Sequence, residues 1–435
     1  MFVQTTLLLS GLTRGEDWPQ WRGPLRDGVW RESGVRSELP TGELPVRWRV
    51  PAGLGYAGPA VAGGKVFLFE YEKRAGTIKN DPGSRVRLEG LERLRCLDSA
   101  TGDELWRHEY DRDYNVSYPS GPRCTPTVDG DRVYLLGAEG DLKCLRTGDG
   151  KVVWTKSFRK EYGVESPLWG HSAHPLVDGN AVYCLVGGEG SIVVAFDKRT
   201  GAEKWRALSA YEPGYCPPSM MEIGGRTQLV IFHPKAISGL HPDSGEVLWS
   251  VPIEPSYGMS IAQPLLAGKR LFASGYNNSV CFALPVGGKE PEVLWAGTPK
   301  TSISSANASP IFDGEVIYGI DANDSALVAV DPATGERLWQ TKVPTVGEGS
   351  RGRHGTAFVV RQGETDRYWL FNEQGDLILA RLRATGYKEL GRQRILEPTS
   401  EAFGRTVVWS HPAFAERAVF ARNDKEIVCV ELSAE

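Results

Sequence analysis

"LDSATGDELW", Leu97 to Trp106, returns as "LRTGDGKVVW" ending at Trp154, "FDKRTGAEKW" at Trp205, "LHPDSGEVLW" at Trp249 and "VDPATGERLW" at Trp339, with a looser copy, "LPVGGKEPEVLW", at Trp295. Successive tryptophans stand 48, 51, 44, 46 and 44 residues apart, a period that fits a four-stranded propeller blade and is too long for ankyrin or leucine-rich units. Each period opens with a Pro-led hairpin such as "CTPTVDGDRVYLLG" or "ASPIFDGEVIYGI", two alternating β-rich runs around a turn. A third strand follows ("GDLKCLR", "GSIVVAFD"), then a Gly turn and a strand carrying the Trp.

Pro-led starts fall at Pro59, Pro126, Pro175, Pro218, Pro264 and Pro310, with Ala357 opening a diverged seventh unit and Pro412 an eighth. The eighth stops after its third strand. Its missing partner is "LPVRWRV" (Leu44 to Val50), a Trp-bearing strand left alone near the N-terminus, and pairing the two closes the ring and removes its open edges. The expected fold is therefore all-β, an eight-bladed β-propeller over residues 44–435. An N-terminal arm at 17–43 precedes it, and 1–16 read as an incomplete export signal or a frayed end. The charged, Gly-rich stretch 72–92 in blade 1 reads as a surface loop.

Composition bounds the function. The net charge of −4 and the absence of a dense basic stripe exclude bulk attraction to nucleic acid, and no run of eighteen apolar residues provides a spanning helix. Trp48, Trp106, Trp154, Trp205, Trp249, Trp295 and Trp339 read as wedges between blades, each burying on the order of 200 Å².

The seven cysteines map onto the repeat. Cys96, Cys144 and Cys429 share a slot taken elsewhere by Ala195, Gly239, Ala283 and Ala329, a small buried position. Cys124 and Cys216 lie two residues before the leading Pro, where other blades carry Ala57, Ala173, Ala262, Ala308, Gly355 and Ser410. A slot that is small all round the ring implies crowding near the axis. Strand alternation turns its flanking positions toward an axial funnel. Those positions hold Tyr56, Arg123, His174, Tyr215, Gln263, Asn307, His354, Trp409 and His411, with Trp169, His171, Arg351 and Arg353 nearby. Three readings of this polar rim stand open: a water-filled channel, a metal site from His171, His174 and His411, or a site where arginines hold carboxylates while aromatic rings stack.

The units resemble the quinoprotein-type repeat of pyrroloquinoline quinone (PQQ) dehydrogenases and of BamB-type periplasmic propellers. "DWPQWRGPLRDG" resembles the opening of PQQ-like repeat proteins common in planctomycetes. The resemblance implies two functions. One is a dehydrogenase using PQQ with Ca²⁺ and an aspartate base, for which the rim offers Asn307 and Gln263 but scarcely any carboxylate, no vicinal Cys pair and no haem-attachment CxxCH. The other is a non-catalytic periplasmic or secreted scaffold, a monomer, binding a protein, peptide or glycan at the rim. The second needs only the residues seen, and no firm cofactor is expected. The lipid-carrying cysteine of BamB-type proteins has no counterpart before Cys96. "WPQWRGPLRDG" (Trp18 to Gly28) is expected to clasp one mouth of the ring or its first and last blades, with Arg22 and Arg26 reaching blade-edge carbonyls.

Overall fold

Eight antiparallel four-stranded sheets arranged around one axis follow the sequence period in a computed structural model that describes residues 15–284, 290–350 and 352–434. Blades 1 to 7 occupy residues 60–111, 127–157, 176–207, 219–252, 265–297, 311–341 and 357–394, each strand pairing with the next in the chain. Blade 8 takes its three inner strands from residues 413–431 and its outer strand from Val46–Pro51, with Trp48 opposite Cys429. The ring thus closes with a strand from the other end of the chain. The export-signal reading of residues 1–16 lies almost wholly outside the described residues.

The repeated turn explains why blades stack. Glycines 102, 150, 201, 245 and 335 all sit at positive φ. A Cβ on any of them would collide with the tryptophan of the preceding blade: Trp48, Trp106, Trp154, Trp205 and Trp295 in that order. Each of those indoles also donates Nε1–H to a carbonyl in the next blade, as Trp48 does to Ser99 at 2.8 Å and Trp154 to Lys198 at 3.1 Å. The tryptophans are bolts, and glycine is required because only it combines a left-handed turn with an indole laid on its Cα.

Opposite each Trp on the neighbouring strand stands a small residue: Cys96, Cys144, Ala195, Gly239 and Ala329. In blade 5 that residue is Cys281, facing Trp295, so the expected Ala283 is displaced by two positions. Blade 7 inverts the pair. Leu379 faces Gly391, and Leu39 of the arm fills the space that an indole occupies elsewhere. Seven buried thiols result, none in a disulfide.

Two elements depart from expectation. Residues 72–92 form more than a loop, because the strands Lys65–Ala75 and Val86–Asp98 run on as a paired ladder into both ends of that stretch, as far as Ala75 opposite Glu89. The remaining bend leans over the axis, where Pro82 O accepts the Trp169 Nε1–H at 3.0 Å and Asn80 Nδ2 donates to Glu401 O at 2.7 Å. The arm, expected at a mouth or seam, instead enters the axial channel. Trp18 exchanges two backbone hydrogen bonds with Val61 of blade 1, Pro19 O accepts from Val128 N of blade 2, and Val29–Trp30 pairs in parallel with Arg361 and Gln362 of blade 7. These contacts sit at the downstream ends of the innermost strands, so the arm plugs the channel from the end opposite the Pro-led entries.

Trp30 is fully buried, 5.2 Å from Phe414 and 6.3 Å from Trp369. Trp30→Ala is therefore expected to cost about 3–5 kcal/mol of unfolding free energy in urea titration. A loss under about 1 kcal/mol would mean that the arm packs only superficially.

Candidate functional site

Chain entry into each innermost strand builds a funnel. The residues three before the leading position, Tyr56, Arg123, Ser172, Tyr215, Asn307, His354 and Trp409, all line one cavity of about 740 Å³. Of those one before it, His174, Ser309 and His411 reach the cavity and Gln263 does not. Trp169 and Arg353 line it as well. His171 is turned away, packed edge-on against Phe158 at 5.4 Å between blades 2 and 3. Arg351 lies outside the described residues.

The arm supplies the floor. Trp21 stacks on His174 at 4.9 Å and meets His411 edge-on at 5.9 Å. It is held up by its neighbours: Arg22 donates to Ser309 O and Pro310 O at 3.0 and 3.1 Å, and Arg26 to Pro175 O and His174 O at 2.8 and 3.2 Å. These bonds tie the plug to blades 6 and 3, so the axial channel becomes a blind pocket.

The walls are more aromatic than the polar His/Arg/Trp-lined rim that was expected. Beyond the anticipated rings they include Tyr118, Tyr211, Tyr257, Tyr276 and Phe403. A chain of ring contacts runs round the funnel from Tyr257 to Tyr276 (6.3 Å), His354 (5.0 Å), Phe403 (4.9 Å), Trp409 (6.4 Å) and Tyr118 (5.7 Å). Four of these, Tyr118, Tyr257, His354 and Phe403, have φ between 49° and 58°. Left-handed backbone at a bulky residue costs about 1–3 kcal/mol, a strain that persists where geometry serves a site. The one sequence signal for the missed rings was an aromatic residue beside Gly in a loop: Tyr257-Gly258, Gly275-Tyr276 and Phe403-Gly404.

Charges in the funnel are few and mostly committed. Arg123, expected to grip a carboxylate, donates to the backbone carbonyls of Trp169, Ser117, Tyr118 and Gly121, and its guanidinium lies over Tyr56 at 5.4 Å. It therefore organises two loops. Arg353 is exposed and gives one bond to Tyr276 Oη at 3.3 Å. Glu373, buried and ion-paired to Arg405 at 2.6 Å, accepts the Trp409 indole N–H at 3.1 Å and so aims that ring. Burial is the main cause that pulls His411 down to about 3, His354 to about 4 and His174 well below the ordinary 6.5, leaving neutral imidazoles on the floor and wall.

A PQQ–Ca²⁺ site requires several hard oxygen ligands converging on one point. Among the described residues of the funnel wall Glu212 is the one carboxylate, joined by the Asn307 amide, and no three His, Cys, Asp or Glu side chains gather as a metal site. The residues present do not fit that cofactor. His171, His174 and His411 do not converge either, since only the last two share the cavity, 6.3 Å apart by ring centre.

The family described as outer membrane protein assembly factor BamB matches residues 91–341. An outer membrane protein assembly factor BamB from Burkholderia pseudomallei (strain K96243) is 25% identical over 302 residues, covering 67% of this chain and 71% of the relative. The crystal structure of BamB from Moraxella catarrhalis aligns with a TM-score of 0.56 at 13% identity, over 91% of this chain and 99% of that one. The quinohemoprotein alcohol dehydrogenase of Comamonas testosteroni gives 0.63 at 12% identity, over 96% and 81%. At these identities the structural likenesses speak for the fold alone. Among the described residues no helix is long and apolar enough to cross a membrane.

Strain and burial each give an expected outcome. Tyr257 is 78% exposed, so Tyr257→Gly surrenders little packing and relieves the backbone; it should stabilise the fold by about 1 kcal/mol in urea unfolding, and Tyr257→Ala should not. His174 binds its proton far more weakly when folded than when unfolded, so its contribution is present above about pH 6.5 and is lost as pH falls below that value. Replacing it by the permanently neutral ring of His174→Phe should flatten the acid limb of a stability–pH curve by up to about 1.4 kcal/mol per pH unit. An unchanged slope would place the acid sensitivity elsewhere.

Proposed function

From the premise that this chain belongs to the BamB family of PQQ-repeat propellers, we propose that it is a non-catalytic binding protein whose funnel receives a segment of a partner polypeptide. The carrying observation is the blind, aromatic cavity whose wall rings are held by strained backbone and whose floor is the chain's own Trp21. Aromatic faces supply contact area at low entropic cost, and the donors of Arg123, Trp169 and Trp409 are spent on holding loops and rings in place. General acid–base chemistry would need a positioned pair of proton carriers, and the wall offers one carboxyl and imidazoles kept neutral by burial. The relative's name, an assembly factor for outer membrane proteins, favours a protein partner over a glycan and a location outside the cytoplasm.

The alternative, a PQQ-dependent alcohol or sugar dehydrogenase, draws on the fold shared with the Comamonas enzyme. Two experiments separate the readings. Peptides selected from a displayed random library against the immobilised propeller should lose about tenfold or more in affinity for the Trp169→Ala/Trp409→Ala variant, with unfolding midpoints close to wild type. Selected peptides indifferent to both rings would remove the funnel from the account. PQQ with Ca²⁺ should leave the melting temperature unchanged and give no dye-coupled oxidation of alcohols or sugars; a stoichiometric shift with turnover would establish the enzyme instead.

A further inference from the structure

Glu212 is the anomaly of the funnel. Half-buried among rings, its carboxyl accepts one long hydrogen bond, from Tyr215 Oη at 3.4 Å, and among the described residues it forms no ion pair. The nearest cation to influence it, Arg85, spends its guanidinium on Asn115 O and Ser166 O at 2.7 and 2.8 Å. Burial accordingly pushes the carboxyl up to about 7. A desolvated carboxylate with neither a donor set nor a cation is costly to keep ionised; it either takes up a proton or gains from a positive charge placed beside it.

The surroundings suit that charge. Trp169 and Tyr215 form a corner, 5.4 Å apart and inclined at 51°. Tyr211, beside Glu212 in sequence, is 66% exposed on the rim. Gly258 packs so tightly on Glu212 Oε1 that a Cβ there would strike the carboxylate, and it lies close to Tyr211 Oη, while the adjoining Tyr257 ring stacks on Tyr276 at 6.3 Å. Tyr257 holds φ at 58° while remaining mostly exposed, so its ring is displayed to solvent at a backbone cost. Ring faces around a carboxylate make a cation-binding arrangement, because the ring quadrupole and the anion attract the same charge.

Resting on the binding function proposed above, we propose that the anchor of the partner polypeptide is a lysine side chain, its ammonium held by Glu212 among Trp169, Tyr211 and Tyr215. An acidic anchor would meet the charge of Glu212, and a purely apolar one would leave that carboxyl desolvated and unpaired. Arginine prefers a two-oxygen fork, and here Oε2 faces Tyr215 while Oε1 rests against Gly258, so the two oxygens are not open side by side for a guanidinium and a single point charge suits them better.

The groups that titrate or carry charge around Glu212 are Tyr211, Tyr215 and Arg85, with Glu254 near Tyr211 and Arg353 on the far side against Tyr276. Of these Glu212 is the carboxyl pushed to about 7, so lysine capture should strengthen from about pH 6 to about pH 8.

The test uses the whole chain, with indole fluorescence as readout, and three probes: an acetylated pentapeptide with a central lysine between glycines, its norleucine counterpart lacking the ammonium, and tetramethylammonium chloride as competitor. The lysine peptide should bind about tenfold more tightly than the norleucine peptide and be displaced by tetramethylammonium. Glu212→Gln, which retains the Tyr215 contact, should abolish both the preference and the pH dependence without altering the melting temperature. Equal affinities, a preference that survives Glu212→Gln, or no saturable lysine response up to about 50 mM would overturn the inference. Library peptides that bind through Trp169 and Trp409 without lysine would leave the funnel's binding function standing and remove this anchor alone.

Discussion

Ring closure by a strand drawn from the opposite end of the chain is the constraint from which the rest follows. Once Val46–Pro51 is committed to the outer edge of blade 8, the preceding residues must cross beneath the ring. Leu39 fills the gap left by the missing indole of blade 7, Val29–Trp30 adds a parallel strand to that blade's inner edge, and residues 18–26 have the axial channel as their packing site. A closed propeller leaves a channel because innermost strands cannot meet at a point. Here the chain fills its own channel.

The filling is electrostatically unusual. Arg22 and Arg26 are buried at 7% and 4% exposure; their terminal nitrogens donate to carbonyl oxygens at the entries of inner strands, while the Nε of each has no hydrogen-bond partner among the described residues. Burial pulls both down to about 10, so each stays protonated and puts positive charge close to His174 and His411, which helps to keep those imidazoles neutral. Trp21 separates the charged plug from the cavity above. A cationic layer beneath neutral histidines, an aromatic wall and one desolvated carboxyl at the rim give the funnel a graded polarity.

The aromatic residues between the blades and those around the funnel differ in backbone strain. Between blades, indole meets glycine turn and small residue meets indole, and no ring is strained to do so. Around the funnel, Tyr118, Tyr257, His354 and Phe403 all hold left-handed backbone. The structural tryptophans lower the free energy of the ring, whereas the funnel aromatics draw on it.

The periodic features were legible. A 44-to-51-residue spacing of Trp, the Gly turn before it and the Pro-led hairpins specify blades because each repeats one local physical requirement. The small slot before each Pro led to Tyr56, Arg123, Tyr215, Asn307, His354 and Trp409, all of which line the cavity, because strand alternation is a local rule. Blade 5 slipped by two residues where the sequence "LPVGGKEPEVLW" departs from the repeat, and His171, placed by proximity in sequence, turned into an inter-blade core. Glu212 was out of reach, Tyr257 and Phe403 carried only the weak signal of an aromatic residue beside Gly, and Trp21 was placed at a mouth of the ring and not as the cavity floor: they belong to non-repeating loops and to an arm whose packing site exists only after eight blades have closed. Local periodicity is sufficient to determine blade number, strand order and the bolts, since those contacts join neighbours along the chain. What fills the axis and which rings face one another across it depend on contacts between residues hundreds of positions apart, and only the closed ring decides them.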